Sequence, residues 1–276
     1  ADLGPEIETL SHDLLQNAPA DGFDLIDVFA QKLPVIVIAR MLGIPETHCD
    51  EVLGWSHDMV RMYQGGRTKK DEIAAATAAQ EFSDFLKEYV SYRRSRPADD
   101  LITHLIAAEE DGQKLSTSEL ISTCILLLNA GHEATVHTIG NGVLALLEND
   151  KVSSVHPDGL DRTVEEILRY DPPLHMFQRW AYEDVEIGPH VIPAGGKVAC
   201  LLAAANRDPS RWSEPDIFDP ERPVQTNTSF GAGTHFCIGA PLARLELQAA
   251  LPALFTRFPN LHLTDPPEFA PTYHFH

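Results

Sequence analysis

The chain has 276 residues, with 41 Asp and Glu against 21 Lys and Arg, a formal net charge of −20. That acidic balance argues against nucleic acid or an anionic membrane as partner, and no apolar run approaches the ~18 residues a transmembrane helix needs. The four cysteines, Cys49, Cys124, Cys200 and Cys237, are scattered with no CxxC pair, which fits neither a disulfide framework nor a zinc knuckle; with no signal-peptide blocks at the start, the expected location is cytoplasmic.

Helical patterns fill the first two thirds. Ile7 to Asn17 carries apolar residues at helical spacing. Leu33 to Leu42 predicts a compact apolar helix with Pro34 in its first turn, stopped by Gly43 and Pro45. Thr47 to Tyr63 and Lys70 to Arg94 predict two more, separated by Gly65-Gly66. Leu101 to Glu110 predicts a short helix ended by Asp111-Gly112. Ser116 with Glu119 three residues on is a capping box that opens the longest helical stretch, to about Glu148.

After Asp171-Pro172-Pro173 the texture changes. Residues 185–192 predict a hairpin, 193–196 a turn and 197–203 a further strand, and Arg179 falls ahead of these strands. Residues 206–225 are rich in Pro and Asp without periodicity, an irregular segment of the kind that is usually functional or wrapped around something; Asn206-Arg207-Asp208-Pro209 within it reads as turn structure. Pro241 to Phe258 predicts the last long helix, and the alternation of His274 and His276 predicts strand. The expected fold class is mainly α with a small β region.

Three constellations carry chemistry. The first is Phe230-Gly231-Ala232-Gly233-Thr234-His235-Phe236-Cys237-Ile238-Gly239. Gly231 and Gly233 can take positive φ and remove bulk, so the backbone can lie against a flat ligand. Cys237 precedes a helix start that favours a thiolate, and a thiolate can ligate iron. An isolated cysteine is more often simply buried.

The second is Ala130-Gly131-His132-Glu133-Ala134-Thr135 on the longest helix. Ala130, Gly131, Ala134, Thr135 and Thr138 share a stripe of small residues, which suits either close helix packing or a flat ligand. The Thr135 hydroxyl can bond the Gly131 carbonyl one turn back and open a local groove. The third is Glu166 with Arg169, i,i+3 neighbours that by themselves make an ordinary solvated ion pair.

The string 230–239, continued by Leu242-Ala243-Arg244-Leu245-Glu246, resembles the haem-binding signature of the cytochrome P-450 family, the haem-thiolate monooxygenases, with every fixed position filled. The resemblance implies that Cys237 is the axial ligand of the iron of haem b and that His235 and Arg179 bind its propionates. It places Phe230, Gly231, Ile238 and Gly239 of the loop, and Ala130, Gly131 and Ala134 of the long helix, against the haem. Leu174, His175 and Met176 are then expected on the substrate side.

The run 130–135 resembles the family's oxygen-binding segment with one departure: Ala134, not threonine, follows Glu133. Glu133 is the expected relay carboxylate, with Thr135, a water or a substrate hydroxyl in place of the missing alcohol. Glu166 and Arg169 resemble the Glu-x-x-Arg motif, and Arg222 fits the arginine that completes a buried structural triad.

The implied activity is insertion of one atom of O2 into a small, largely apolar organic substrate. Electrons would come from NAD(P)H through a soluble ferredoxin and its reductase. Alternatives are an H2O2-driven peroxygenase and a non-catalytic haem-binding fragment. Against the family pattern, residues 1–276 are expected to form a single, incomplete domain that lacks early helices and final strands.

Overall fold

A computed structural model of the chain describes residues 3–63, 65–110 and 115–269. Its α-helices and strands, in order, are α1 (Gly4–Gln16), α2 (Lys32–Leu42), α3 (Cys49–Val60), α4 (Lys69–Ser95), α5 (Leu101–Glu110), α6 (Thr117–Glu148), α7 (Leu160–Tyr170), β1 (Met176–Trp180), β2 (Val185–Ile187), β3 (His190–Ile192), β4 (Lys197–Leu201), α8 (Leu202–Ala205) and α9 (Ala240–Arg257). The mainly helical fold with a small β region is observed. The described residues fall into two compact units, one running to Gly140 and joined by Pro241–Asn260, the other beginning at Asn141 and running to Ala240, with the residues after Asn260.

The first unit is all helix around an apolar core that includes Ile38, Leu42, Phe82, Leu86, Ile102 and Leu128, and Trp55 stacks on Phe82 with ring centroids 5.2 Å apart. Side chains set the starts of α4 and α6. Ser116 and Glu119 make the expected box, with Ser116 N–H donating to Glu119 Oε2 at 2.7 Å and Glu119 N–H to Ser116 Oγ at 3.3 Å. Thr68 and Asp71 make a second box that opens α4. The single helix expected over 47–63 is instead a 3-10 turn (Glu46–His48), α3, and a second 3-10 turn (Arg61–Tyr63). Pro45 is extended and its carbonyl accepts from His48 N–H at 3.0 Å, which tightens the entry to i,i+3 pairing.

One junction ties three of these helices. Gly43 caps α2 at φ +82°, and the next amide, Ile44 N–H, reaches back to Ala39 at 2.9 Å. The Gly43 carbonyl accepts from Arg93 Nη2 at 2.9 Å and from the Tyr89 hydroxyl, both on α4. Arg93 Nε also pairs with Asp100 at 2.9 Å, while Asp100 Oδ1 caps α5 by accepting from Thr103 N–H at 2.8 Å. A Cβ on Gly43 would lie 2.2 Å from Asp100 Oδ2, so only glycine fits both the φ and the space.

The second unit holds α7, the strands and the loop 230–239. β1 pairs antiparallel with β4, placing Arg179 opposite Val198, and β2 pairs with β3 as the expected hairpin. β1 was not foreseen because Met-Phe-Gln-Arg-Trp lacks apolar–polar alternation. The strand expected over 197–203 ends at Leu201, where the His175 carbonyl accepts from Leu202 N–H at 2.9 Å and the chain turns into α8. Residues 206–225 contain neither helix nor strand. Asp111-Gly112, His274 and His276 lie outside the described residues. No helix of the described residues is long and apolar enough to cross a membrane.

Gly43→Ala is expected to destabilise the first unit by about 2 kcal/mol or more, from the left-handed φ plus the clash with Asp100. Urea unfolding of the two proteins followed by circular dichroism measures the difference.

Candidate functional site

In the loop ahead of α9, Gly231 and Gly233 both adopt φ +70°, and Gly233–His235 forms a 3-10 turn. Phe230 C=O accepts from Cys237 N–H at 3.0 Å and Thr228 C=O from Gly231 N–H at 2.8 Å, so the loop closes on itself. Cys237 stands exposed, unlike most free cysteines, beside Ile238, which is 87% exposed, and the half-exposed ring of Phe236. Phe230 and Phe236 pack edge to face at 6.4 Å. A Cβ on Gly239 would sit 3.7 Å from the Cys237 sulfur and one on Gly231 3.6 Å from the Phe177 ring, while Gly233 opens on free space. An outward thiol ringed by exposed apolar groups and bare backbone is a donor set that suits a flat, apolar, iron-bearing ligand such as haem. Burial pushes the Cys124 thiol up to about 12 and, with Glu46 and Asp50 adding to it, the Cys49 thiol up to about 11, so neither supplies a thiolate.

The loop is held from behind by residues that sequence reading missed. Buried Asn206 donates through Nδ2 to Ser229 Oγ at 2.8 Å, and its Oδ1 accepts from Thr228 N–H at 2.7 Å. Ser229 Oγ donates in turn to the Leu168 carbonyl of α7. The turn-forming Asn206-Arg207-Asp208-Pro209 sequence was the available signal, and it identified only the backbone role.

Glu166 and Arg169, 3% and 1% exposed, form a two-pronged pair at 2.7 Å for each prong. Arg222 reaches the same carboxylate at 3.3 Å, and Asp219 N–H adds a fourth donor at 2.8 Å. Arg169 also donates to the carbonyls of Asn206 at 3.1 Å and Pro215 at 2.8 Å. Arg179, exposed on β1, donates to the Gln178 carbonyl at 2.9 Å with its guanidinium 5.5 Å from the Phe177 ring. His235 is exposed in the 3-10 turn. Leu174, His175 and Met176 are half-buried at the entry to β1, His175 Nε2 lying 3.6 Å from Asp171.

In the first unit, the stripe of α6 divides. Ala130 is exposed, Gly131 and Ala134 are half-buried, and Thr135 and Thr138 are buried. The place of a Gly131 Cβ lies 3.4 Å from Ile38 of α2. Of the acceptors open to it, the Thr135 hydroxyl donates to Glu246 Oε2 on α9 at 3.2 Å rather than to the Gly131 carbonyl. A carboxyl sealed from water has few other donors, and it outcompetes a carbonyl that a helical N–H already serves. The back-bond occurs one turn later, from Thr138 Oγ1 to the Ala134 carbonyl at 2.7 Å.

Two buried carboxyls of this unit are driven in opposite directions. Burial pushes Glu246 up to about 8, with the Thr135 hydroxyl opposing only in part. Burial acts the same way on Glu133, but the neighbouring imidazoles of His132, His137 and His57 overcome it and hold Glu133 well below the carboxylate range. His57 of α3 lies 3.3 Å from Glu133. Its own pKa is lowered, by burial first, with Glu133 pulling the other way. Glu133 is thus ionised and Glu246 is largely protonated at neutral pH.

A profile of the cytochrome P-450 family matches residues 58–154 and 159–273. The chain belongs to that family. It is 41% identical over 271 residues to cytochrome P-450 107B1 of Saccharopolyspora erythraea, covering 96% of this chain and 65% of that protein. To the 6-deoxyerythronolide B hydroxylase of the same organism it is 40% identical over 264 residues, covering 94% of this chain and 64% of the relative. A crystal structure of the P-450 BioI in complex with acyl carrier protein ligated to hexadec-9Z-enoic acid superposes with a TM-score of 0.93 at 37% identity, over 99% of this chain and 72% of that one. The chain therefore spans slightly less than two thirds of the curated P-450 relatives.

Two outcomes follow for this P-450 chain. Glu166→Ala leaves two buried guanidinium groups uncompensated and is expected to cost ~3–5 kcal/mol in urea unfolding, with loss of haem uptake. For Glu246, the folded-state value lies above the ordinary one, so its stabilisation is complete at acid pH and is lost as pH rises from 4.5 to about 8. Relative to Glu246→Gln, the wild type should lose about 1.4 kcal/mol per pH unit across that window. Parallel urea titrations from acid to neutral pH read the slope, and equal slopes in the two proteins would remove the carboxyl from account.

Proposed function

We propose that this chain carries the haem-thiolate core of a monooxygenase that inserts one atom of O2 into a small, largely apolar organic molecule. The observation that carries the reading is the outward Cys237 thiol in its self-closed glycine loop, together with membership of the cytochrome P-450 family. In this reading Cys237 ligates the iron of haem b, and His235 and Arg179 bind the propionates. Phe230, Gly231, Ile238 and Gly239 lie against the ring on the loop side, and Ala130, Gly131 and Ala134 are the α6 residues assigned to it. Haem when bound supplies the redox centre at which O2 is reduced with two electrons. Those electrons come from NAD(P)H through a soluble ferredoxin and its reductase.

This chain's own residues manage protons and substrate. Glu133 is an ionised carboxylate whose Oε2 lies 3.6 Å from His137 Nε2, so it can accept a proton from that ring and pass it on. Ala134 has no hydroxyl, and that of Thr135 is committed to Glu246. The alcohol that the relay needs is therefore supplied by the substrate or by a water that the substrate positions. Leu174, His175 and Met176 contribute to the substrate side. Relatives named as a 6-deoxyerythronolide B hydroxylase and as a polyketide biosynthesis cytochrome P-450 support hydroxylation of a small organic molecule.

Reduced protein with carbon monoxide should show the strongly red-shifted Soret band of thiolate-ligated haem, and Cys237→Ala should abolish it. A band typical of a neutral ligand in the wild type would overturn the assignment of Cys237. Product formation dependent on NAD(P)H and ferredoxin, rather than on added H2O2 alone, separates the monooxygenase from a peroxygenase. Peroxide release should rise several-fold when a hydroxylated substrate is replaced by its deoxy analogue, and Thr135→Val should not reproduce that rise.

A further inference from the structure

Glu133 faces more nitrogen than an ion pair uses. His57 from α3 and His132 from α6 bring Nε2 to the same oxygen, Glu133 Oε1, at 3.3 and 3.5 Å, and the three donor atoms lie within 4.8 Å of one another. His132 is fully buried, and its Nδ1 lies 3.3 Å from the carbonyl of Leu128 one turn back, a contact that requires an N–H. In the neutral ring the proton is thereby fixed on Nδ1. A lone pair remains at Nε2, an atom without a hydrogen-bond partner among the described residues, and it points toward a carboxylate oxygen.

The conflict repeats at His57, whose Nε2 is 3.4 Å from Gln31 Nε2. An amide N–H donated there leaves that ring nitrogen no proton for Glu133. His137 completes the set, with Nε2 3.6 Å from Glu133 Oε2. Protonating both His57 and His132 would place two like charges on rings whose centroids are 5.8 Å apart.

A cation between His57 Nε2, His132 Nε2 and Glu133 Oε1 would use the lone pairs of both imidazoles and offset the carboxylate charge. We propose that His57 Nε2, His132 Nε2 and Glu133 Oε1 form a binding site for one divalent transition-metal ion of the zinc class. Tetrahedral zinc with bonds of about 2.0–2.1 Å separates neighbouring ligand atoms by about 3.3 Å. The observed separations of 3.3 and 3.5 Å match that edge. Two imidazoles and one carboxylate suit zinc, nickel or copper, whereas magnesium and calcium take all-oxygen sets. The Nδ1–H bond from His132 to a backbone carbonyl is the outer-shell contact that metal-bound histidines make. Entry is from the His57 side, whose side chain is 39% exposed.

The test needs no turnover, so its outcome is separate from that of the proposed oxygen chemistry. Haem-loaded protein stripped with a chelator is titrated with Zn2+ by calorimetry, and bound zinc is counted after equilibrium dialysis. One equivalent is expected, with affinity reduced at least about 10-fold in His57→Gln and in Glu133→Gln. Because His132 is buried and its variant could fail to fold, His57 on the rim carries the comparison, with retained haem absorbance as the folding control. A double variant, His274→Asn with His276→Asn, removes the other paired histidines and should bind as the wild type does. Zinc uptake equal in wild type and His57→Gln, or lost only in the double variant, overturns the site.

Discussion

A single carboxylate withdrawn from water organises the second unit. Glu166 accepts from two arginines and a backbone amide, and those arginines spend their remaining N–H groups on carbonyls of residues 206–225. That segment has no ladder of its own, so its order derives from this charge cluster. Asn206, positioned by it, then fixes Thr228 and Ser229, and the glycine loop bearing Cys237 follows directly. Such a cluster is costly to desolvate and gains little net stability over apolar packing. What it provides is a fixed geometry for a stretch of chain that neither helix nor sheet could hold.

Much of this organisation was legible in the residues. Helix boundaries marked by local chemistry, the Ser116–Glu119 box and the Gly43 stop among them, lie within a residue or two of their predicted places, because caps act over three or four residues. Arg222 could be matched to Glu166 only through the family pattern, since the two are 56 residues apart. Long-range partners were otherwise invisible. Nothing in the run 130–135 announces that Thr135 will turn to a carboxyl 111 positions away, or that an imidazole from α3 will meet Glu133. β1 was hidden for a different reason: its side chains do not alternate, and its pairing with β4 supplies what the local pattern lacks.

Glu133 and Glu246 show how a fold assigns opposite states to one residue type. Both are screened from water. One is surrounded by imidazole nitrogen and gives up its proton; the other meets a single hydroxyl and keeps it. The difference lies in the partners: His132 and His137 of its own helix with His57 of α3 for Glu133, and the Thr135 hydroxyl of α6 for Glu246.

The arginine cluster also governs how this protein can vary. Of the groups that Arg169 and Arg222 grasp in the irregular segment, those at Ser213, Glu214, Pro215 and Ile217 are main-chain carbonyls, which every amino acid possesses. Side chains at these positions are thus released from the duty of holding the segment in place. They can drift, or be recruited to a changing surface, while the backbone path beneath the Cys237 loop is inherited intact. The path of these carbonyls is set by two cations and one anion, while Trp212 and Phe218 beside them are fixed by burial.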